Sequence, residues 1–457
     1  MHRLAPGTAV AGSSIALGFL VASEASHLTA VVAMLAVAAL AAAAWLFRKA
    51  RSLGDPSLAA ATFVAQAFAL ALIAFSGISI GLGMKIADPF LVGAAFCAIL
   101  AALSGSGTTI PRYIRVGVWC IVLSGLLSIL FTDSTAADSA VLGRFAIAIG
   151  ITPIVVAYAG SGSPKRLMLL VEAWLLSAVV SAAVALCDRF AHTNLSPLGG
   201  QFPGREPGLA YHPNALALAC ALGLPVALAL ALDSAGGRRL RLLAYAALLV
   251  GGILVSGSRG GLIAALVGVL VVLLRQATLR QTSWVMALCA FAILFGHHER
   301  FAAVERLLGR QGVSYYSVTN SDQERAVRLH QGIDDVLRHP VTGVGLAHLR
   351  DAHDVYLQLL SSGGVLILIG FGVFAYGLFA TGVRLHTPLG VGAFAAVCAW
   401  LLAGLVENQI YDRFVYVPAG LVIAIALLER RSHAIAEQGS VKGSGAAPLR
   451  NYLSAGS

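Results

Sequence analysis

Five side chains in this chain are of the right kind to handle a phosphorylated substrate and a proton: Arg205, His212, Arg259, Arg325 and His353. A guanidinium is planar, stays charged at every physiological pH and donates paired hydrogen bonds, which suits phosphate and diphosphate oxygens. An imidazole exchanges a proton near neutrality. Together they fit an anionic lipid-linked substrate held by arginines beside a proton acceptor. Each also has a plainer reading. In Gly204–Asn214, Pro213 suits the first turn of a helix and His212 its cap. Arg259 either reaches the membrane interface or meets an anion, because an unpaired guanidinium close to lipid is costly. His353, followed by Asp354, either opens a helix or exchanges a proton.

The elements that carry these residues follow from local signals. Ser256–Gly261 is a tight polar turn between two apolar runs. Ser321-Asp322-Gln323-Glu324 has the pattern of a capping box and predicts a helix start. Val327, Ile333, Val336 and Leu337 give that helix an intermittent apolar face, with Arg325 and Arg328 on the same element. Pro340 stops it at Arg338-His339, since the residue before proline is driven out of helical geometry. A glycine-containing turn, Val341–Leu346, leads to re-entry into the membrane at His353–Leu360.

Hydrophobic residues make up 58% of the 457 positions and charged residues only 11%, with a mean hydropathy of +0.84. A soluble chain of this size needs far more charge to cover its surface. Apolar runs of bilayer-crossing length predict an all-α polytopic bundle of about 14 spans, within a range of 12 to 14. They start near Thr8, Thr29, Leu58, Pro89, Val116, Val141, Leu167, Asn214, Leu240, Gly261, Ser283, Val355, Leu389 and Phe414. The first run lacks a strongly basic start and a cleavage site, so it reads as a retained helix.

With the N-terminus in the cytoplasm, alternate loops and the termini collect 18 basic residues against 4 acidic ones (Asp55, Asp233, Glu429, Glu437). The other side holds 13 basic and 16 acidic residues, Glu172 being counted within its span. This positive-inside asymmetry predicts cytoplasmic termini and puts the candidate residues on the far face. It also explains the net charge of +10 without nucleic acid. The six cysteines, Cys97, Cys120, Cys187, Cys220, Cys289 and Cys398, have no metal-ligand or disulfide spacing. The expected division is 1–187 as N-terminal spans, 188–428 as a membrane core with a long loop at 297–354, and 429–457 as a disordered tail.

Four stretches in order, GREPGLAYHPN (204–214), SGSRGGLIAALVG (256–268), ERAVRLHQGIDDVLRHPVTGVGL (324–346) and HDVYLQLLSSGGVLILI (353–369), resemble the O-antigen ligase and polysaccharide polymerase family. The similarity covers roughly residues 185 to 410. It implies glycan transfer from an undecaprenyl-diphosphate-linked donor to a glycan or lipid-linked acceptor, with inversion and without metal or cofactor, at the outer face of the inner membrane. By the same resemblance His353 activates the acceptor hydroxyl, while Arg205, Arg259 and Arg325 hold the diphosphate. His212, Asn214, Arg328 and Asp354 are secondary candidates, and His212 and His348 are alternative bases. The chain departs from the family pattern at Asp354, where Asn is usual, at Leu329, where a Trp is common, and in a short Gly345–His353 segment. Asp354 either raises the histidine's proton affinity or only caps the helix.

The GR-x-x-G-x-x-x-HPN stretch leans towards polymerase over ligase, and protein O-glycosylation shares much of the pattern. A transporter or flippase of lipid-linked sugars is the alternative class. It calls for polar or ionisable residues deep in the spans, where the sequence offers few: Gln66, Glu172 near a cytoplasmic end, and mid-span Ser and Thr residues. The motifs of peptidoglycan polymerases are not recognisable.

Overall fold

Runs dominated by Ala, Leu, Val and Gly become helices here because lipid cannot hydrogen-bond the backbone, and a helix satisfies its own N–H and C=O groups. The computed structural model describes residues 57–80, 85–103, 110–132, 134–202, 204–276, 315–348 and 354–441. Over these residues the chain is a multi-pass helical bundle. Its helices are α1 (Ser57–Leu72), α2 (Asp88–Ala101), α3 (Arg112–Ile129), α4 (Thr135–Ala146), α5 (Thr152–Gly160), α6 (Pro164–Phe190) and α7 (Pro213–Asp233). They continue as α8 (Gly236–Ser256), α9 (Arg259–Gln276), α10 (Tyr315–Arg338), α11 (Val355–Gly382), α12 (Pro388–Ala403) and α13 (Val417–Val441). A wider π turn at Ile147–Ile151 joins α4 and α5 into one span. Among the described residues seven spans are long and apolar enough to cross a membrane, and α1, α2 and α12 are shorter apolar helices.

Every expected span that falls on described residues coincides with a helix. Those expected near Thr8, Thr29 and Ser283 lie outside the described residues. Two local expectations need correction. Helix α10 begins at Tyr315 and runs through Ser321, so the capping-box residues lie within the helix and do not start it. The last helix continues through Glu429 to Val441, so the polar segment expected to be disordered from Glu429 is helical that far.

The bundle is organised around α7, which is buried along almost its whole length. Pro225 interrupts that helix, and two glycines of neighbouring helices receive it. A Cβ on Gly268 would sit 3.0 Å from the Pro225 ring, and one on Gly392 would sit 2.8 Å from the Val226 backbone. Small residues let membrane helices approach closely where no hydrophobic drive exists between them. The same device joins α3 to α11, where a Cβ on Gly117 would fall 2.4 Å from the Phe374 backbone and one on Gly377 2.8 Å from that of Ile114.

Helix α11 is broken inside the bundle at Gly364, whose φ of +73° is left-handed. The break frees two carbonyls and an N–H, and the turn after α10 pairs with them. Val344 N donates to Ser361 O at 2.9 Å, Gly345 N to Ser362 O at 3.1 Å, and Val365 N to Pro340 O at 2.9 Å. Ser128 Oγ of α3 donates to Thr342 O at 2.7 Å, and the Ala347 N–H donates to Asp138 of α4. Non-helical backbone at this depth survives because protein surrounds it.

The connections sort into two groups at opposite ends. At one end Arg275 donates to the terminal carbonyls of α11 at Val383 (2.8 Å) and Leu385 (3.0 Å), and Arg431 donates to Ser161 O at 2.7 Å. At the other, Gly77 N donates to Leu209 O at 2.9 Å, and the loops before α7, α9 and α13 meet. These groups are the two sets of alternating loops that the charge pattern separates.

Candidate functional site

A single carboxylate organises the second end. Between α12 and α13 the chain crosses Gly404–Asp412, and Glu407 there is 3% exposed. Its Oε1 accepts from Ser258 Oγ at 3.0 Å and its Oε2 from Asn214 Nδ2 at 3.2 Å. Asn214 in turn accepts from the Arg205 guanidinium, whose Nε donates to Ser256 O at 2.8 Å. The loop before α7, the turn before α9 and the segment before α13 are thus tied together. Burial raises the proton affinity of Glu407, against the opposing pull of the Ser258 hydrogen bond and of the Arg325 and Arg205 charges.

Each element delivers its residue for a local reason. Gly257 closes α8 in the left-handed region at φ +63°, which lets the chain reverse within two residues and start α9 at Arg259. Gly260 follows, and a Cβ there would lie 2.3 Å from Glu407 Oε1. Arg259 therefore stands between two residues that both touch the carboxylate, with its side chain partly exposed. Arg325 comes from α10, which lies against the entrance of α11, Gly332 facing Leu357. The Arg325 side chain is half-buried, and its Nε has no hydrogen-bond partner among the described residues. Buried donors in folded proteins are nearly always partnered, so an orphan marks a place where an acceptor is expected.

The structure brings Arg205, Arg325 and Asn214 to one carboxylate and sets the Arg259 backbone beside it. His212 is the N-cap of α7, its Nδ1 accepting from Asn214 N at 3.1 Å, with the Phe202 ring edge-on at 4.9 Å between centroids. One lone pair of the imidazole is thereby engaged, and the neutral ring carries its proton on Nε2. Asp354 is the N-cap of α11 and accepts from Tyr356 N (2.8 Å) and Leu357 N (2.9 Å). Val355 N donates to Gly404 O at 2.7 Å, which pins this helix entrance to the head of the segment carrying Glu407. Arg328 is partly exposed on α10. His353 lies outside the described residues, and so does the side chain of His348.

A second buried cluster supports the first. Asp412 accepts from Tyr211 Oη at 2.9 Å, and burial raises its pKa to about 6. The neighbouring Arg413 pairs with Asp88 at 2.9 Å, and the Lys85 ammonium lies 5.9 Å from the Tyr211 ring centre. Among the described residues no group of three His, Cys, Asp or Glu side chains is placed to hold a metal ion. Cys97, Cys120, Cys187, Cys220 and Cys398 are free thiols, and Cys289 lies outside the described residues.

Sequence reasoning missed Glu407, Ser258 and Asp412. A signal existed for the first: Glu407 is an acid that directly follows the apolar run Leu401 to Val406 and opens the polar stretch Glu407-Asn408-Gln409. Its meaning depends on long-range contacts that no spacing reveals.

No curated protein matches the chain. Residues 244–372, from within α8 to within α11, match the family model described as O-antigen ligase, so over this stretch the multi-pass bundle is similar to that family.

Proposed function

We propose that the chain transfers a glycan from an undecaprenyl-diphosphate-linked donor during assembly of a surface polysaccharide, at the outer face of the inner membrane. The observation that supports this most directly is the convergence at Glu407 of Arg205, Asn214, Ser258 and the charge of Arg325, with an orphaned Arg325 donor beside it. Several cations fixed around one buried carboxylate leave a net positive site. It suits an anion whose charge grows during reaction.

In the proposed step the acceptor hydroxyl oxygen attacks the anomeric carbon from the face opposite the diphosphate. The new carbon–oxygen bond forms as the bond to the diphosphate oxygen breaks, and the polyprenyl diphosphate leaves with the electron pair. His353 takes the hydroxyl proton. Arg205, Arg259 and Arg325 neutralise the charge gathering on the leaving group, and direct displacement inverts the anomeric centre. Neither a covalent enzyme intermediate nor a metal is needed, because diphosphate is a good leaving group and fixed charge with positioning supplies most of the barrier reduction.

The test is a deletion strain with its envelope glycans resolved by gel, complemented with wild type, Arg205→Ala, Arg259→Ala or His353→Ala. We expect wild type to restore long chains and each variant to fail while still reaching the membrane. Single repeats left on the acceptor identify a polymerase, the reading that the 204–214 motif favours. Accumulation of lipid-linked polymer identifies a ligase. Unchanged glycans in the deletion strain overturn the proposal and bring transport of lipid-linked sugars forward.

A further inference from the structure

The end of the bundle opposite Glu407 has a cavity of about 700 Å³ that glycan transfer does not use. Arg112 and Arg115 enter it from the first turn of α3, Arg384 from the end of α11, and Arg430 and His433 from α13. Among the described residues Glu429 is the one carboxylate in its lining. The backbone adds to this charge. Helix α3 opens at Pro111, which makes no side-chain cap, and its first turn, with the partial positive charge of a helix N-terminus, forms part of the lining. Tyr113 and Tyr376 stand at the rim, edge to face with ring centres 5.4 Å apart, and each is more than half exposed. Below them the surfaces of α3 and α11 are apolar and open, with Trp119 and Leu123 each 60% exposed.

Those features sort by depth as a phospholipid does. The charges and the tyrosines sit together at the end of the spans, where basic groups and amphipathic rings favour the interface, and the apolar surface lies farther along the helices, at the depth of acyl chains. Basic pockets between transmembrane helices on the cytoplasmic side suit anionic headgroups. We propose that this cavity is a binding site for an anionic glycerophospholipid, the phosphate held by Arg112, Arg384 and Arg430 and the acyl chains lying along α3 and α11. The proposal is independent of the transfer reaction.

The experiment is native mass spectrometry of the purified full-length protein titrated with phosphatidylglycerol or phosphatidylcholine of the same chains. Phosphatidylglycerol is expected to stay bound where phosphatidylcholine is lost. The combined Arg112→Gln, Arg384→Gln, Arg430→Gln variant should weaken it by roughly a hundredfold, on the order of three interfacial arginines together. Arg238→Gln, at the same end but outside the cavity, should leave binding unchanged. Glu429→Gln should strengthen it, a gain that a misfolded protein does not give. Equal retention of the two lipids by wild type overturns the proposal, as does equal loss in the Arg238 variant. Excess inorganic phosphate distinguishes the sources: no displacement supports a lipid site, whereas full displacement of the lipid means a site for free phosphate and overturns the assignment.

Discussion

Glu407 is worth more to this molecule as a shape than as a charge. Its two oxygens take up the Asn214 amide and the Ser258 hydroxyl at a position that is 3% exposed. Leaving such donors unpaired costs about 1–3 kcal/mol. Glu407→Ala is therefore expected to lower the melting temperature in detergent and to cut glycan transfer more than tenfold, roughly the rate equivalent of that cost. Glu407→Gln, which keeps the outline, should recover most of the stability. Equal losses in the two variants would mean that the charge matters more than the shape. Asp412 gives a pH signature. Its folded-state pKa of about 6 lies above the ordinary carboxylate value, so the folded protein binds the proton more tightly than the unfolded chain. Stability from this group is then present at low pH and lost as pH rises through about 6. Thermal unfolding between pH 5 and 7, bracketing that value, should show wild type gaining relative to Asp412→Asn on acidification. A constant difference across that window would sink the assignment. Arg205, Arg259 and Arg325 were legible as candidates in the sequence because their chemistry is intrinsic, while His353 lies outside the described residues. Glu407 and Asp412 were not, since they acquire meaning only from partners in other segments, Asn214, Ser258 and Arg205 for the first and Tyr211 for the second.

At the scale of elements, the motifs 340–346 and 361–364 become physically intelligible together. Gly343 and Gly364 both have left-handed φ, +70° and +73°. A Cβ on Gly364 would lie 1.9 Å from Val341 O, and one on Gly343 would lie 2.3 Å from Ser362 O. Neither has room for a side chain, so Gly364→Ala should separate the turn from α11 and reduce folded yield sharply, whereas Gly372→Ala, with open space at that position, should not. The helix itself was predictable from its apolar run. Its break was not, because a hydropathy window averages across Ser361–Gly364 and the bonds that pay for the break come from outside the segment. Asp354 poses a question of the same scale. It caps α11 through two backbone N–H groups, a role worth roughly 1 kcal/mol when lost. Asp354→Asn keeps the cap and drops the charge. An unchanged pH–activity profile in that variant assigns Asp354 to capping, and a shifted one assigns it to the histidine's proton affinity.

For the whole molecule, the alternation of loops read from charge and the two groups of loops joined by contact agree. One pattern reports the sign of residues and the other their proximity, so the agreement is a check on the order of the spans. Placement of the basic end in the cytoplasm makes a direct prediction. In a cysteine-free background, Leu195→Cys should react with a membrane-impermeant maleimide added outside the inner membrane, and His386→Cys only after lysis. The reverse pattern would invert the topology and remove the site from the face where it is proposed to act. The broken helix has a consequence for how the protein is made. Its open carbonyls are expensive in lipid until Val344 and Gly345 arrive, with Ser128 and Asp138 holding that turn in place. All of these partners precede α11 in the chain. A ribosome therefore delivers the supports before the span that depends on them, and α11 can leave the translocon straight into a prepared seat. A circular permutant that moved α3 and α4 behind α11 would expose the unfinished break to the bilayer and to membrane proteases.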